Sequence, residues 1–243
     1  MAKVVGILGG MGPAATVDLF QQIVSLTPAR RDQDHLPILI HNDPTIPDRT
    51  AAILHGGTDP LPQMIEGVHR LERMGAQLIA MPCNTAHYYW GALQAQCQVP
   101  ILHMIRETAQ AIVAHWPGLR RIGVLATSGT LQCHLYQDAL AAVGLTALVP
   151  DREAVAAIMD AVYQIKAGIL EGEPVHLLRS VGAGLVAAGA EVLILGCTEI
   201  PLVLHDGDLP VPLLSSTRVL AQAVIREAQA RDVLAVDGLT PHP

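Results

Sequence analysis

Cys83 and Cys197 each close an apolar run of strand length, and the chain writes that run twice. Gly75-Ala76-Gln77-Leu78-Ile79-Ala80-Met81-Pro82-Cys83-Asn84-Thr85 is answered by Gly189-Ala190-Glu191-Val192-Leu193-Ile194-Leu195-Gly196-Cys197-Thr198-Glu199. A thiol that follows a strand and precedes a helix N-terminus is expected to have its pKa lowered toward neutrality. Such a group can both accept and deliver a proton. Two of them on opposite sides of one small substrate could take a proton from one face of a carbon and return one to the other. The polar pairs Asn84-Thr85 and Thr198-Glu199 directly after the thiols fit a reaction site, and packing alone does not require them.

Two cations stand out beside the thiols. Arg49 lies in the rigid turn Ile46-Pro47-Asp48-Arg49-Thr50, and Lys166 is nearly alone on an apolar helix close to Met159 and Val162. Together they suit an acidic substrate, Arg49 as a bidentate clamp and Lys166 as a point charge. Cys97 and Cys133 read as small buried residues, and no two cysteines are spaced as a zinc or redox motif. In a reducing compartment all four are free thiols. His41, His55, His69 and His87 form no helix-face metal motif and read as surface or hydrogen-bonded core histidines. Gly10-Met11-Gly12-Pro13-Ala14-Ala15 fits the loose dinucleotide pattern G-x-G-x-x-A. Pro13, however, removes a donor where phosphate would sit, and the acid of the next strand, Asp43, comes late beside a proline. A glycine turn that lets substrate approach the backbone is the better reading.

These residues need a scaffold of alternating strands and helices. Strands are expected at 4–8, 37–41, 77–81, 101–103, 121–125, 145–148, 192–195 and 211–214. Uninterrupted apolar runs of this kind suit buried parallel sheets with helical crossovers. One helix should open at Gly12-Pro13, with Val17, Phe20 and Val24 on its inner face. Another should open after Asp151 as N-cap, with Val155, Ile158, Met159 and Val162 as its stripe. The repeat also extends beyond the cysteines. Gly6-Ile7-Leu8 is matched by Gly123-Val124-Leu125, Val99-Pro100-Ile101-Leu102 by Val211-Pro212-Leu213-Leu214, and Ala109-Gln110-Ala111 by Ala221-Gln222-Ala223. The expected fold is α/β, with two pseudo-symmetric lobes that are each a mostly parallel sheet flanked by helices. The first lobe is assigned residues 1–98 with 211–243, and the second residues 99–210. Ligands of such sheets bind beyond the carboxyl ends of the strands. The turns 9–12, 83–85, 127–130 and 197–199 should therefore meet in the cleft between the lobes.

Composition narrows the partners. The 243 residues are 51% hydrophobic but only 3% aromatic, so the core must be aliphatic. The net charge is −7 without a basic cluster, which argues against nucleic acid. The apolar stretch 184–196 is too short to span a bilayer, and no secretory signal opens the chain. A cytoplasmic protein with no membrane partner is expected. The Gly- and Pro-containing tail 231–243 could be disordered or dock on a partner.

Taken together, the chain resembles the cofactor-independent aspartate/glutamate racemase superfamily, most closely its aspartate racemase branch. The resemblance rests on Gly9-Gly10-Met11-Gly12-Pro13, Ile46–Thr50, Pro82-Cys83-Asn84-Thr85-Ala86-His87, Ala126-Thr127-Ser128-Gly129-Thr130 and Gly196-Cys197-Thr198-Glu199-Ile200-Pro201, in the family's order. Glu199-Ile200 and the glycine turn stand where the glutamate racemase branch typically has His-Tyr and Asp-Ser-Gly. Ser215 stands where the family often carries an acid. The resemblance implies a two-base proton transfer at the α-carbon of an acidic amino acid, without pyridoxal phosphate or another cofactor, in a protein often paired as a homodimer. It makes Cys83 and Cys197 catalytic, and Met11, Arg49, Asn84, Thr85, Thr127, Lys166, Thr198 and Glu199 substrate-binding. Alternatives are a related cysteine-dependent isomerase or decarboxylase, and an amino-acid-binding protein without turnover.

Overall fold

The computed structural model describes residues 2–230; the expectations for the tail 231–243 lie outside the described residues. The first half of the chain runs β1 (Val5–Gly9), α1 (Pro13–Leu26), β2 (Ile38–Asn42), α2 (Arg49–His55), α3 (Leu61–Arg73), β3 (Leu78–Ala80), α4 (Trp90–Ala95) and α5 (Met104–His115). The second half runs β4 (Arg121–Leu125), α6 (Ser128–Gln132), α7 (Leu135–Ala141), β5 (Thr146–Leu148), α8 (Arg152–Lys166), α9 (Glu173–Ala187), β6 (Val192–Leu195), β7 (Leu213–Ser215) and α10 (Ser216–Gln229). Two sheets result, ordered β2-β1-β3 and β5-β4-β6-β7, and every pairing is parallel. Strands β1, β3 and β6 are buried along their whole length, as strands covered by helices on both faces must be. No helix among the described residues is long and apolar enough to cross a membrane.

The sequence repeat has a direct structural meaning. Ile101 bridges Ile79 at the edge of the first sheet, and Leu213 pairs with Leu193 at the edge of the second. The two Val-Pro segments thus do the same job in each lobe, although the expected strand 101–103 shrinks to that single bridge. After each edge segment the chain passes to the other sheet. The change is made by the next helix. Ile105, Ala109 and Ile112 of α5 pack with Ile122, Val124 and Ile194 of the second sheet. Leu220, Ala221 and Val224 of α10 pack with Val5 and Ile7 of the first.

The helix after Asp151 forms as expected: the Asp151 carboxylate accepts from the Ala154 N–H at 2.9 Å, and Ile158 and Val162 are buried. The inner face of α1 differs from expectation. Ala15, Thr16, Leu19 and Ile23 point inward, while Val17 and Phe20 are exposed. Thr16 fixes this rotation, because its hydroxyl donates to Gly12 O at 3.1 Å and accepts from Gly10 N at 3.0 Å. A Cβ at Gly9 would stand 2.4 Å from the Thr16 side chain, so this close approach requires glycine.

Candidate active site

The strand ends deliver the expected turns to one cleft. It is lined by Met11, Arg49, Cys83, Asn84, Thr85, Thr127, Lys166, Cys197, Thr198 and Glu199, every residue singled out from the sequence. Asp48, Thr50, Met159, Val162 and Tyr163 complete the wall. Three of these belong to α8, where residues 159, 162, 163 and 166 recur at i, i+3, i+4 and i+7 and so share one face. That periodicity was a signal for Tyr163, whereas Thr50 was named only as the end of the Ile46–Thr50 turn.

Arg49 starts α2, whose N-cap Asp48 accepts from Ala51 N at 2.7 Å. Its guanidinium is buried and donates to the carbonyls of Ile46 (3.1 Å), Pro47 (2.8 Å) and Met11 (3.2 Å). Of its five donors, Nε–H has no partner and Nη2 retains a second N–H. The side chain is thus held rigidly by backbone oxygens while two donors stay unused. Lys166, in the last turn of α8, has Nζ 3.8 Å from Glu199 Oε1. Burial alone would lower the Lys166 pKa, but Glu199 and the two thiols together outweigh it and the net shift is upward.

The thiols sit at 6% exposure each, but their surroundings differ. Cys197 Sγ donates to Glu199 Oε2 at 3.1 Å, and the Thr198 hydroxyl donates to the same oxygen at 3.3 Å. Burial, reinforced by the Glu199 carboxylate, pushes the Cys197 thiol well up, and Lys166 opposes this only in part. The expected lowering by a helix N-terminus therefore fails at Cys197. Only the 3₁₀ turn Ile200–Leu202 follows it, too short for an appreciable dipole, and a carboxylate faces the sulfur.

After Cys83 the chain also forms a 3₁₀ turn, Thr85–Tyr89. Thr85 Oγ1 joins Thr127 and Thr130 in a triangle of hydroxyls at 2.8, 2.9 and 3.0 Å. Three hydroxyls can each donate to the next, so the ring satisfies itself without water. Gly129 lets α6 come close enough: a Cβ there would stand 2.9 Å from both Thr50 Oγ1 and Thr85 Cγ2. Asn84 is engaged at both ends of its amide, Oδ1 accepting from Tyr136 OH at 2.7 Å and Nδ2 donating to Ser216 Oγ at 3.1 Å. It was expected to face substrate; here it also braces the turn. His87 is buried too. Its Nε2 accepts from Met104 N at 3.0 Å, so its Nδ1 carries the proton and donates to Cys83 O at 2.8 Å.

The remaining predicted groups lie away from the cleft. Cys97 donates to Glu72 Oε1 and Val99 O, and burial pushes its thiol up to about 12. Among the described residues no cluster of three or more His, Cys, Asp or Glu side chains is arranged to hold a metal ion. Gly10 takes φ +97°, and a Cβ there would stand 2.2 Å from Asp43 O, so the glycine turn serves a tight backbone approach between β1 and β2.

With this geometry in view, the Asp/Glu/Hydantoin racemase profile matches residues 8–224. The chain belongs to that family. Within it the aspartate racemase branch is the nearer: Picrophilus torridus aspartate racemase superposes with a TM-score of 0.83 at 30% identity, over 94% of this chain and 95% of that one. An aspartate racemase homologue from Pyrococcus horikoshii OT3 gives 0.75 at 25% identity, over 95% of this chain and 100% of the other. The broad specificity amino-acid racemase RacX of Bacillus subtilis is 29% identical over 228 residues, 91% of this chain and 96% of its own length. As a member of the family the chain is an isomerase of the racemase type.

Proposed function

We propose that this racemase interconverts L- and D-aspartate by two-base proton transfer between Cys83 and Cys197. The observation that carries the reading is that the repeated thiols line one cleft together with two cations, Arg49 and Lys166. The two unused donors of Arg49 match the two oxygens of a carboxylate, and Lys166 offers its ammonium to the second carboxylate of a dicarboxylic substrate. Glu199 acts on the substrate through its partners, Cys197 and Lys166.

In the forward step a thiolate at Cys83 takes the α-proton. The Cα–H bond breaks, an S–H bond forms, and the electron pair stays on carbon and its carboxylate. Cys197, held as a thiol, then delivers its proton to the opposite face and becomes the thiolate. The pair ends with its protonation states exchanged, ready for the reverse direction. The cations of this buried cleft stabilise the carbanion, which no cofactor delocalises. A homodimer belongs to the same reading, and light scattering in solution tests it.

The deciding experiment is incubation of L-aspartate with reduced protein in D2O without added cofactor, followed by NMR and chiral chromatography. Deuterated D-aspartate is the expected product, and a panel including L-glutamate then ranks substrates. Absence of both deuterium incorporation and D-isomer across the panel would overturn the proposal.

A further inference from the structure

Tyr136 is fully buried, is ionisable, and has no part in the chemistry above. It stands on α7, in the second lobe, yet its hydroxyl donates to Asn84 Oδ1 at 2.7 Å, and Asn84 is the residue directly after Cys83. The same ring lies against the other turn: a Cβ on Gly196, the residue directly before Cys197, would stand 2.9 Å from Tyr136 Cε2. A second path closes the loop. Asn84 Nδ2 donates to Ser216 Oγ at 3.1 Å, and Ser216 Oγ donates to Leu195 O at 2.8 Å, two residues before Cys197. Burial pushes the Tyr136 pKa up, so the hydroxyl keeps its proton and fixes which way the Asn84 amide points.

We propose that Tyr136 is a positioning residue that sets the separation of the two thiols, bracing the turn after Cys83 against the turn before Cys197 through Asn84 and Ser216. Its consequence for racemisation rests on the function proposed above; the bracing itself does not. Removing a proton needs one well-placed thiol, whereas inversion needs both placed at once, and small misplacements are costly in rate.

Tyr136→Phe keeps the ring against Gly196 and removes the hydroxyl. With L-aspartate in D2O, inversion should fall about tenfold or more, while deuteration with retained configuration falls less. A parallel fall in both, or no fall in either, would overturn the proposal. Hydrogen exchange of the substrate-free protein, read by mass spectrometry, tests the bracing without turnover. Residues 83–85 and 196–198 should lose protection together, and a loss confined to α7 would refute it. If the parent protein does not racemise, the proposed function fails and this second measurement alone judges Tyr136. Should Tyr136→Phe not fold, Ser216→Ala cuts the second path and should deprotect the same two turns; unchanged protection would count against the brace.

Discussion

After Cys83 come Asn84 and Thr85; after Cys197 come Thr198 and Glu199. The strands leading to the two thiols match, and the thiols are equally buried, so exposure does not distinguish them. Their neighbours do. Thr85 is engaged in a neutral ring of hydroxyls, whereas Glu199, at the corresponding place, accepts from the Cys197 sulfur. Two residues further along, His87 anchors the Cys83 carbonyl, and Pro201 stands at its counterpart. The repeat has kept the positions of two sulfurs while giving Cys197 a carboxylate partner two residues on. The proposed two-base chemistry makes use of that asymmetry, because one group must begin as the base and the other as the acid.

The largest effect should come from removing either sulfur. Cys83→Ala and Cys197→Ala should each lower racemisation by about a thousandfold or more, with α-proton exchange surviving on the face that keeps its thiol. Parent-like racemisation by both variants, measured by chiral chromatography, would break the comparison entirely. A smaller effect should follow from Glu199→Gln. Without the carboxylate, alkylation of Cys197 by iodoacetamide should move to lower pH and quicken about tenfold near neutrality, while the Cys83 profile stays put. An unmoved Cys197 profile, followed by mass spectrometry, would mean that Glu199 does not hold the proton there.

The smallest effect concerns stability on the Cys83 side. Burial holds the His87 pKa down to about 4, against an unfolded value near 6.5. The unfolded chain therefore binds the extra proton first. The contribution of neutral His87 is fully present above about pH 6.5 and is lost as pH falls toward 4. Between pH 7 and pH 5 this should cost about 2 kcal/mol, read from urea unfolding. Burial also pushes His103 down, to about 3, and it acts in the same direction. Comparison with His87→Gln isolates the His87 share; an equal pH dependence in that variant would assign the effect elsewhere.

Much of this molecule was legible in the chain. Strands buried on both faces leave uninterrupted apolar runs, which is why 121–125 and 192–195 were read at their observed limits. The repeat supplied the two lobes, and strand-end turns supplied the cleft residues. What could not be read depended on contacts made across the fold. The rotation of α1 was decided by Thr16 against Gly9, and its Val17, Phe20 and Val24 spacing was equally helical. The thiol environment at Cys197 depended on where the Glu199 carboxylate turned, which its position two residues later left open. Tyr136 carries no local signature at all, since its partners are Asn84 and Gly196, far away in sequence.

The crossing of α5 and α10 has a consequence for how such a chain can be inherited. Each half of the sequence encodes a sheet, but the helix that covers one face of that sheet is encoded in the other half. A fragment ending near residue 118 would carry α5 with no surface to lie on and a first sheet stripped of α10. Either half expressed by itself is therefore expected to expose the apolar face of its sheet, and exchanging one half alone would strip both sheets of a matched cover.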